Sequence, residues 1–267
     1  MLQKRKVVVT GLGVLAPNGN TTSEYWEALT AGKSGIGPIE SFDASDLSVR
    51  IAGELKDFDP QSFFDRKELR KLDPFTIYHL VSSEEAIKNS GIDLDKTDGD
   101  RIGVIIGTGI GGIQTLENEH GVFSERGQRR VSPFFVPRFI PNIASGNLAI
   151  KFGLRGPNHT VISACASGTD AIGCAMRTIQ YGDADVMITG GTEASITGLT
   201  ISGFGNIKAL STRNDEPTAA SRPFDAERDG FVLGEGAAAL VLEEEEHAKR
   251  RNAPILAELA GYGATDD

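Results

Sequence analysis

The 267 residues carry a net charge of −10, 39% hydrophobic residues, 32 glycines and only two cysteines. A chain of this length buries a substantial core, and so many glycines exclude a helical bundle and suit an α/β protein with many tight strand–helix turns. The acidity argues against generic nucleic-acid binding while leaving room for a local basic patch, and no run of about 18 apolar residues marks a membrane span.

The start, Met1-Leu2-Gln3-Lys4-Arg5-Lys6, is basic, but the β-rich stretch after it is short and broken by glycines. That is no secretory leader, and the cytosol is the expected compartment. Lys6 to Thr10 reads as a buried strand, with Gly11 and Gly13 turning the chain. Gly-Leu-Gly here invites a dinucleotide reading, yet Ala16 stands where the third glycine belongs. Thr21-x-x-Glu24 is a capping box for a helix through Trp26 and Leu29, stopped by Gly32. Asp73-Pro74 opens a longer helix with an apolar stripe of Ile77, Leu80, Val81 and Ile87, ended by Gly91. Arg101 to Ile106 is a strand too apolar to alternate, hence buried on both faces. It runs into Gly107-Thr108-Gly109-Ile110-Gly111-Gly112, a glycine-rich turn without the Gly-Lys-Ser/Thr of a P-loop.

From about Gly121 to Pro141 the pattern is irregular, with Phe134, Phe135 and Phe139 set among Pro133, Pro137 and Pro141. Long aromatic stretches of this kind are usually functional or lie at an interface. A helix from Asn142 to Phe152 follows. Then comes Val161-Ile162-Ser163-Ala164-Cys165-Ala166-Ser167-Gly168-Thr169-Asp170, a β-branched run ending in a cysteine where a helix begins. A helix N-terminus offers unpaired N–H groups and a favourable dipole, which stabilise a thiolate. The small neighbours leave room for a substrate, and the Cys165 N–H is a candidate oxyanion donor. The bland alternative is a small buried hydrophobe. Cys174 reads as a core residue: nine residues along one helix put it about 13 Å from Cys165, too far for a disulfide. No metal-type Cys/His spacing occurs.

The helix after Cys165 is rich in small residues, suiting enclosure between layers, and ends at Gly182. Asp185 to Thr189 is a strand, with Gly190-Gly191-Thr192-Glu193 turning away. Gly236 to Glu243 is an apolar strand, Glu243 to Arg251 a surface helix, acidic first and basic last, and Ala253 to Gly261 one more strand.

Three stretches occur in a telling order. They are Val7-Val8-Val9-Thr10-Gly11-Leu12-Gly13, the cysteine segment, and Pro223-Phe224-Asp225-Ala226-Glu227-Arg228-Asp229-Gly230-Phe231-Val232-Leu233-Gly234-Glu235-Gly236-Ala237. Together they closely resemble the β-ketoacyl-acyl carrier protein synthases, the condensing enzymes of fatty-acid elongation, and most nearly the bacterial free-standing synthase II type. The resemblance covers essentially all 267 residues. It implies the N-terminal half of the thiolase fold, an α/β, layered α-β-α unit with a five-stranded mixed sheet, as one domain over 1–267, with the family's C-terminal half absent. Strand–helix alternation by itself indicates only a layered α/β domain with a mixed sheet.

The resemblance also implies roles. Cys165 becomes the nucleophile, and Ile110, Phe135 and Phe204 the acyl-pocket residues. Lys67, Arg70, Lys71, Arg129, Arg130 and Lys208 become the docking residues for an acidic acyl carrier protein. Substrates would arrive on the carrier's phosphopantetheine arm, with no further cofactor and no metal, in a homodimer. Read without that context, the basic runs are a solvated face. Neither the family's two histidine motifs nor its Phe-Gly-Gly-Thr-Asn turn has a counterpart here, and His79, His120, His159 and His247 are not placed to replace them. These 267 residues alone are therefore expected not to catalyse condensation. Two rivals remain: a coenzyme A-dependent condensing enzyme of the same superfamily, and a non-catalytic half that binds or dimerises.

Overall fold

The structure is a computed structural model that describes residues 4–266. In chain order its elements are β1 (Val7–Leu15), α1 (Thr22–Thr30), the short β2 (Gly37–Pro38) and β3 (Ile51–Ala52), α2 (Arg66–Leu69), α3 (Pro74–Ser90), β4 (Ile102–Gly107), α4 (Ile113–Arg126), α5 (Phe135–Phe139), α6 (Ile143–Phe152), β5 (Asn158–Val161), α7 (Ser167–Tyr181), β6 (Val186–Glu193), α8 (Gly198–Asn206), β7 (Gly236–Glu244), α9 (Glu245–Arg250) and β8 (Ala257–Glu258).

The apolar run of β4 is buried at every position, as its composition requires. It lies inside a mixed sheet ordered β5-β4-β6-β7-β1-β8, parallel across β5, β4 and β6 and antiparallel from β6 outward. Successive residues of β4 alternate between layers. Val104 and Ile106 join the cluster built on α3 and α6, with Phe75, Leu80 and Leu148, while Ile105 joins Ala171, Ala175 and Ile179 of α7 on the other face. This is the layered α-β-α arrangement expected.

The sheet has six strands, not the five expected. The sixth is β8, which pairs only Glu258 and Ala257 with Val8 and Val9. The strand expected over Ala253 to Gly261 thus shrinks to two residues, with the Leu256 and Leu259 N–H groups on either side donating to the Val9 and Val7 carbonyls.

Several glycines expected to turn the chain lie within strands instead. β1 continues through Gly11 and Gly13 to Leu15. A Cβ on Gly13 would sit 1.8 Å from the Ser82 carbonyl oxygen, and one on Gly11 2.1 Å from that of Ala86. Both glycines serve to bring α3 against the sheet. β6 likewise runs on through Gly190 and Gly191 to Glu193, which pairs with Gly236 of β7.

The enclosed helix is α3, not α7. Twelve of its 17 residues are buried, including Thr76, His79, Ser82, Ser83 and Ser90, so its core-facing surface is far wider than the expected stripe. Small hydroxyl side chains pack about as closely as alanine and return their donors to the helix: Ser82 Oγ to the His79 carbonyl at 3.1 Å, Ser90 Oγ to that of Ile87 at 2.7 Å. Arg177 and Tyr181 leave α7 exposed on one side. The stretch expected to be irregular holds two helices. α4 tolerates Gly121 and ends only at Gly127, whose φ is +77°. Pro137 sits in the first turn of α5, where no N–H is needed.

Glu243, read as the start of a surface helix, is fully buried near the end of β7. Its carboxylate accepts from Thr10 Oγ1 at 2.5 Å, Arg251 Nε at 2.9 Å and His247 Nδ1 at 2.7 Å, fastening α9 to both β1 and β7. Burial pushes this carboxyl up, but the bonds from Arg251, His247 and Thr10 outweigh burial and hold it at about 2.

Two expectations follow. Gly13→Ala should cost about 3 kcal/mol or more in urea unfolding, since the added methyl meets backbone, whereas Gly121→Ala, with nothing within 4 Å of the new Cβ, should be neutral or stabilising by up to about 1 kcal/mol. Glu243 has a folded-state pKa below its ordinary 4.5, so its contribution is complete above that pH and is lost as pH falls toward 2. Glu243→Gln should therefore cost about 3 kcal/mol at pH 7, and denaturant titrations should show the gap to wild type closing as pH falls from 4.5 to 2.

Candidate active site

The chain leaves β5 at Val161, crosses Ile162 and Ser163, and makes a single 3-10 turn at Ala164–Ala166 before α7 begins at Ser167. Cys165 is the middle residue of that turn and is exposed. The elbow is sharp because α7 starts against the sheet: a Cβ on Gly107, at the end of β4, would lie 2.1 Å from the Ser167 carbonyl oxygen. Ala164 takes φ +48°, a left-handed conformation that alanine adopts at a cost of about 1–2 kcal/mol. Ser167 closes the elbow, accepting from the Ser163 N–H at 2.9 Å and donating to the Ala164 carbonyl at 2.7 Å. Ala166, the N-cap of α7, offers no side-chain acceptor, so no cap competes for the first-turn amides beside Cys165. Asp170, in that first turn, accepts from the Ser163 hydroxyl and from Tyr262 Oη at 2.6 Å, which lower its pKa in that order.

Cys165 opens into a cavity of about 550 Å³ whose walls include Ile110, Phe204, Phe231 and Leu233. Phe204 of α8 meets Phe231 edge-on, centroids 5.4 Å apart and planes at 78°. Asp229 anchors the Phe231 segment by accepting from Ser211 Oγ at 2.7 Å and the Thr212 N–H at 2.9 Å, bonds that hold its carboxyl down at about 2. The structure thus brings Cys165, Ile110 and Phe204 to one cavity. It does not bring Phe135, which lies on α5 and stacks on Phe139 with centroids 5.8 Å apart. Lys67, Arg70, Lys71, Arg129, Arg130 and Lys208 are all exposed. None of the six is in an ion pair among the described residues.

No histidine among the described residues lines the cavity. His79 is buried in α3, where burial lowers its pKa to about 3 and keeps it neutral. His159 is exposed on the edge strand β5, His120 lies in α4, and His247 is engaged with Glu243.

Two carboxylates escaped the sequence reading. Glu193 and Glu235 both line the cavity, and burial raises both. Glu193 Oε2 accepts from the N–H groups of Gly109 at 2.7 Å and Ile110 at 3.1 Å. Glu235 accepts from the Leu55 N–H at 2.9 Å and Tyr78 Oη at 3.2 Å. Their one signal in the sequence is a lone acid among glycines and apolar residues, in Gly-Gly-Thr-Glu and Gly-Glu-Gly. Taking the first of these for a turn made its charge look ordinary.

Comparison with known proteins agrees with this geometry. A family model described as beta-ketoacyl synthase, N-terminal domain, matches residues 4–248. The 3-oxoacyl-(acyl-carrier-protein) synthase 2 of Coxiella burnetii is 51% identical over 266 residues, covering 100% of this chain and 64% of that protein. A β-ketoacyl synthase from Burkholderia phymatum superposes with a TM-score of 0.87 at 37% identity, over 97% of this chain and 64% of its own. A type II polyketide ketosynthase, solved with its acyl-carrier protein, gives 0.78 at 30% identity over 96% of this chain and 67% of its own. The chain spans 64% of the length of the curated relatives it matches.

The two cysteines should react unequally. Cys174 is half-buried against the core beneath α7, whereas Cys165 is exposed at the helix start. Limiting iodoacetamide on the folded protein, followed by mass spectrometry, should label Cys165 at least about tenfold faster; preferential labelling of Cys174 would overturn the assignment of the nucleophile.

Proposed function

This chain belongs to the β-ketoacyl synthase family, and from that membership we propose that it carries the nucleophile and acyl pocket of a condensing enzyme of fatty-acid elongation. The observation that carries this reading is the exposed thiol of Cys165, held on a strained elbow at the start of α7 and opening into an apolar cavity. The Cys165 thiolate attacks the carbonyl carbon of an acyl thioester borne on the phosphopantetheine arm of an acyl carrier protein. The new S–C bond forms as the carrier's thiolate leaves, and the backbone N–H of Cys165 supports the oxyanion in between. Malonyl-carrier then loses carbon dioxide, its carbanion attacks the acyl carbon, and the cysteine leaves as thiolate to give β-ketoacyl-carrier.

The acyl chain lies along Ile110 and Phe204, both on the cavity wall. Phe135 reaches an acyl pocket on our reading only across a homodimer interface, since within one chain it lies on α5 against Phe139. Decarboxylation needs groups that stabilise an enolate, and the four histidines here are buried, engaged or away from the cavity. We assign that task to the second half of the family's fold, so the 267 residues by themselves should give no condensation product. Losing one oxyanion donor already costs about 10²–10³ in rate. We place the reaction in the cytosol, with no cofactor beyond the carrier's own arm.

The carrier docks through Lys67, Arg70, Lys71, Arg129, Arg130 and Lys208, six exposed cations free to meet an acidic partner. Single exposed charges contribute about 0–1 kcal/mol each, so the test reverses three together. In the intact synthase, Lys67→Glu, Arg70→Glu and Lys71→Glu combined should raise KM for acyl-carrier protein about tenfold and leave kcat within about twofold. Added salt should raise the wild-type KM in the same direction. A KM indifferent to both changes sinks carrier docking at this patch and favours coenzyme A thioesters as substrates.

A further inference from the structure

We infer that Glu193 is a positioning residue that sets which acyl chains reach Cys165, by latching the Gly107–Gly112 turn and with it Ile110. The acyl-pocket role of Ile110 belongs to the function proposed above; the latch itself is read from the geometry alone.

Glu193 is the last residue of β6, and the turn follows β4, its parallel neighbour in the sheet. Strand β6 thus delivers a carboxylate beneath a turn whose ends are tied by backbone bonds, the Thr108 N–H to the Val161 carbonyl at 3.3 Å and the Gly112 N–H to the Phe139 carbonyl at 3.1 Å, while the Gly109 and Ile110 amides between them go to Glu193. Successive N–H groups converge on one oxygen: Gly109 at 2.7 Å and Ile110 at 3.1 Å, both to Oε2. Thr108 Oγ1 extends the cluster, lying 3.4 Å from Oε1 and accepting from the Gly111 N–H at 3.2 Å. Converging backbone N–H groups form an anion-binding concavity, and here the protein fills it with its own side chain. The site is tight. A Cβ on Gly109 would lie 2.9 Å from Glu193 Oε2 and 3.7 Å from the Ala164 carbonyl oxygen, so latch, turn and cysteine elbow are in contact. Burial raises the Glu193 carboxyl while the Gly109 and Ile110 amides and Thr108 lower it.

The chemistry of the latch predicts which replacement works. Both principal bonds run to one oxygen, so the amide oxygen of glutamine can accept them, while alanine leaves two amides unpaired and aspartate falls one methylene short. A freed turn lets Ile110 shift, altering how long a chain fits beside Cys165.

The test uses the intact synthase and two readouts that need no carrier protein. Amide hydrogen exchange should find Gly109 and Ile110 protected in wild type and in Glu193→Gln. In Glu193→Ala their protection should fall about tenfold or more, the loss of one hydrogen bond's worth of opening energy. Alkylation of Cys165 by short- and long-chain alkyl iodoacetamides should show a chain-length preference that Glu193→Gln retains and Glu193→Ala shifts. Free exchange of these amides in wild type overturns the latch, as does a Glu193→Ala profile within about twofold of wild type. Should the alanine variant not fold, Glu193→Asp carries the same comparison, and the wild-type exchange measurement decides independently of any variant. A protein that fails with acyl-carrier substrates yet shows this Glu193-dependent preference would overturn the proposed reaction and leave the latch standing.

Discussion

The start of α7 lies so close to the end of β4 that Gly107 has no room for a methyl group: its Cβ would fall 2.1 Å from the Ser167 carbonyl oxygen. The geometry of the site follows from this contact. With α7 pinned there, the chain leaving β5 has only Ile162 to Ala166 in which to reverse, and one residue must take a left-handed conformation. Ala164 does so, at φ +48°, and Ser167 ties the turn from both sides. Cys165 is thereby presented outward with a small backbone around it. The strain is confined to one residue, and hydrogen bonds and the helix behind it hold it in place.

Buried and half-buried carboxylates organise the rest of the molecule, in two chemically distinct ways. Asp73, Glu193 and Glu235 are partnered mainly by neutral donors, and burial leaves all three raised. Asp73 caps α3 and also accepts from the Thr115 N–H at 3.0 Å and Thr115 Oγ1 at 2.6 Å, so one side chain joins the first turns of α3 and α4. Glu243 instead faces the Arg251 guanidinium, which together with His247 and Thr10 more than offsets its burial. Neutral partners fix geometry without a strong demand for charge, which suits residues on or behind a cavity wall. The ion cluster stands at the far end of the sheet, where β7 hands over to α9.

The cavity's composition follows from the elements that meet there. Strand ends and glycine turns contribute backbone and small side chains around Cys165, while α8 and the segment after it contribute Phe204 and Phe231. This is an apolar wall beside an exposed thiol, as the proposed acyl transfer requires, and no histidine lines it among the described residues. A family whose curated members are longer than this chain, as the 64% coverage shows, has room to supply such groups from elsewhere.

Local signals, by contrast, were legible from the sequence. Asp73-Pro74 opens α3, Gly91 and Gly182 close α3 and α7 in left-handed conformations, and Val161 to Ser167 leads through Cys165 into a helix. Resemblance supplied Ile110 and Phe204, which periodicity could not. What the sequence hid were the decisions made by contact. A glycine that turns a chain and a glycine that lets a helix touch a strand look alike until the partner is known, so β1 and β6 were cut short at Gly11 and Gly190. The apolar stripe of α3 gave no sign that its serines and His79 are buried as well, because nothing local says that a helix will be enclosed on nearly every side. Glu193 looked like a turn charge because the amides it holds lie 83 and 84 residues upstream, and Glu243 like a surface charge because its near partners His247 and Arg251 read as one polar helix while Thr10 lies 233 residues away. The sequence by itself determined where α3 opens and where α3 and α7 close, and which cysteine to propose as the nucleophile, since capping and backbone preference act over a few residues. Only the tertiary structure decided which faces are buried and which charges are held, because burial and pairing belong to surfaces that the chain brings together after folding.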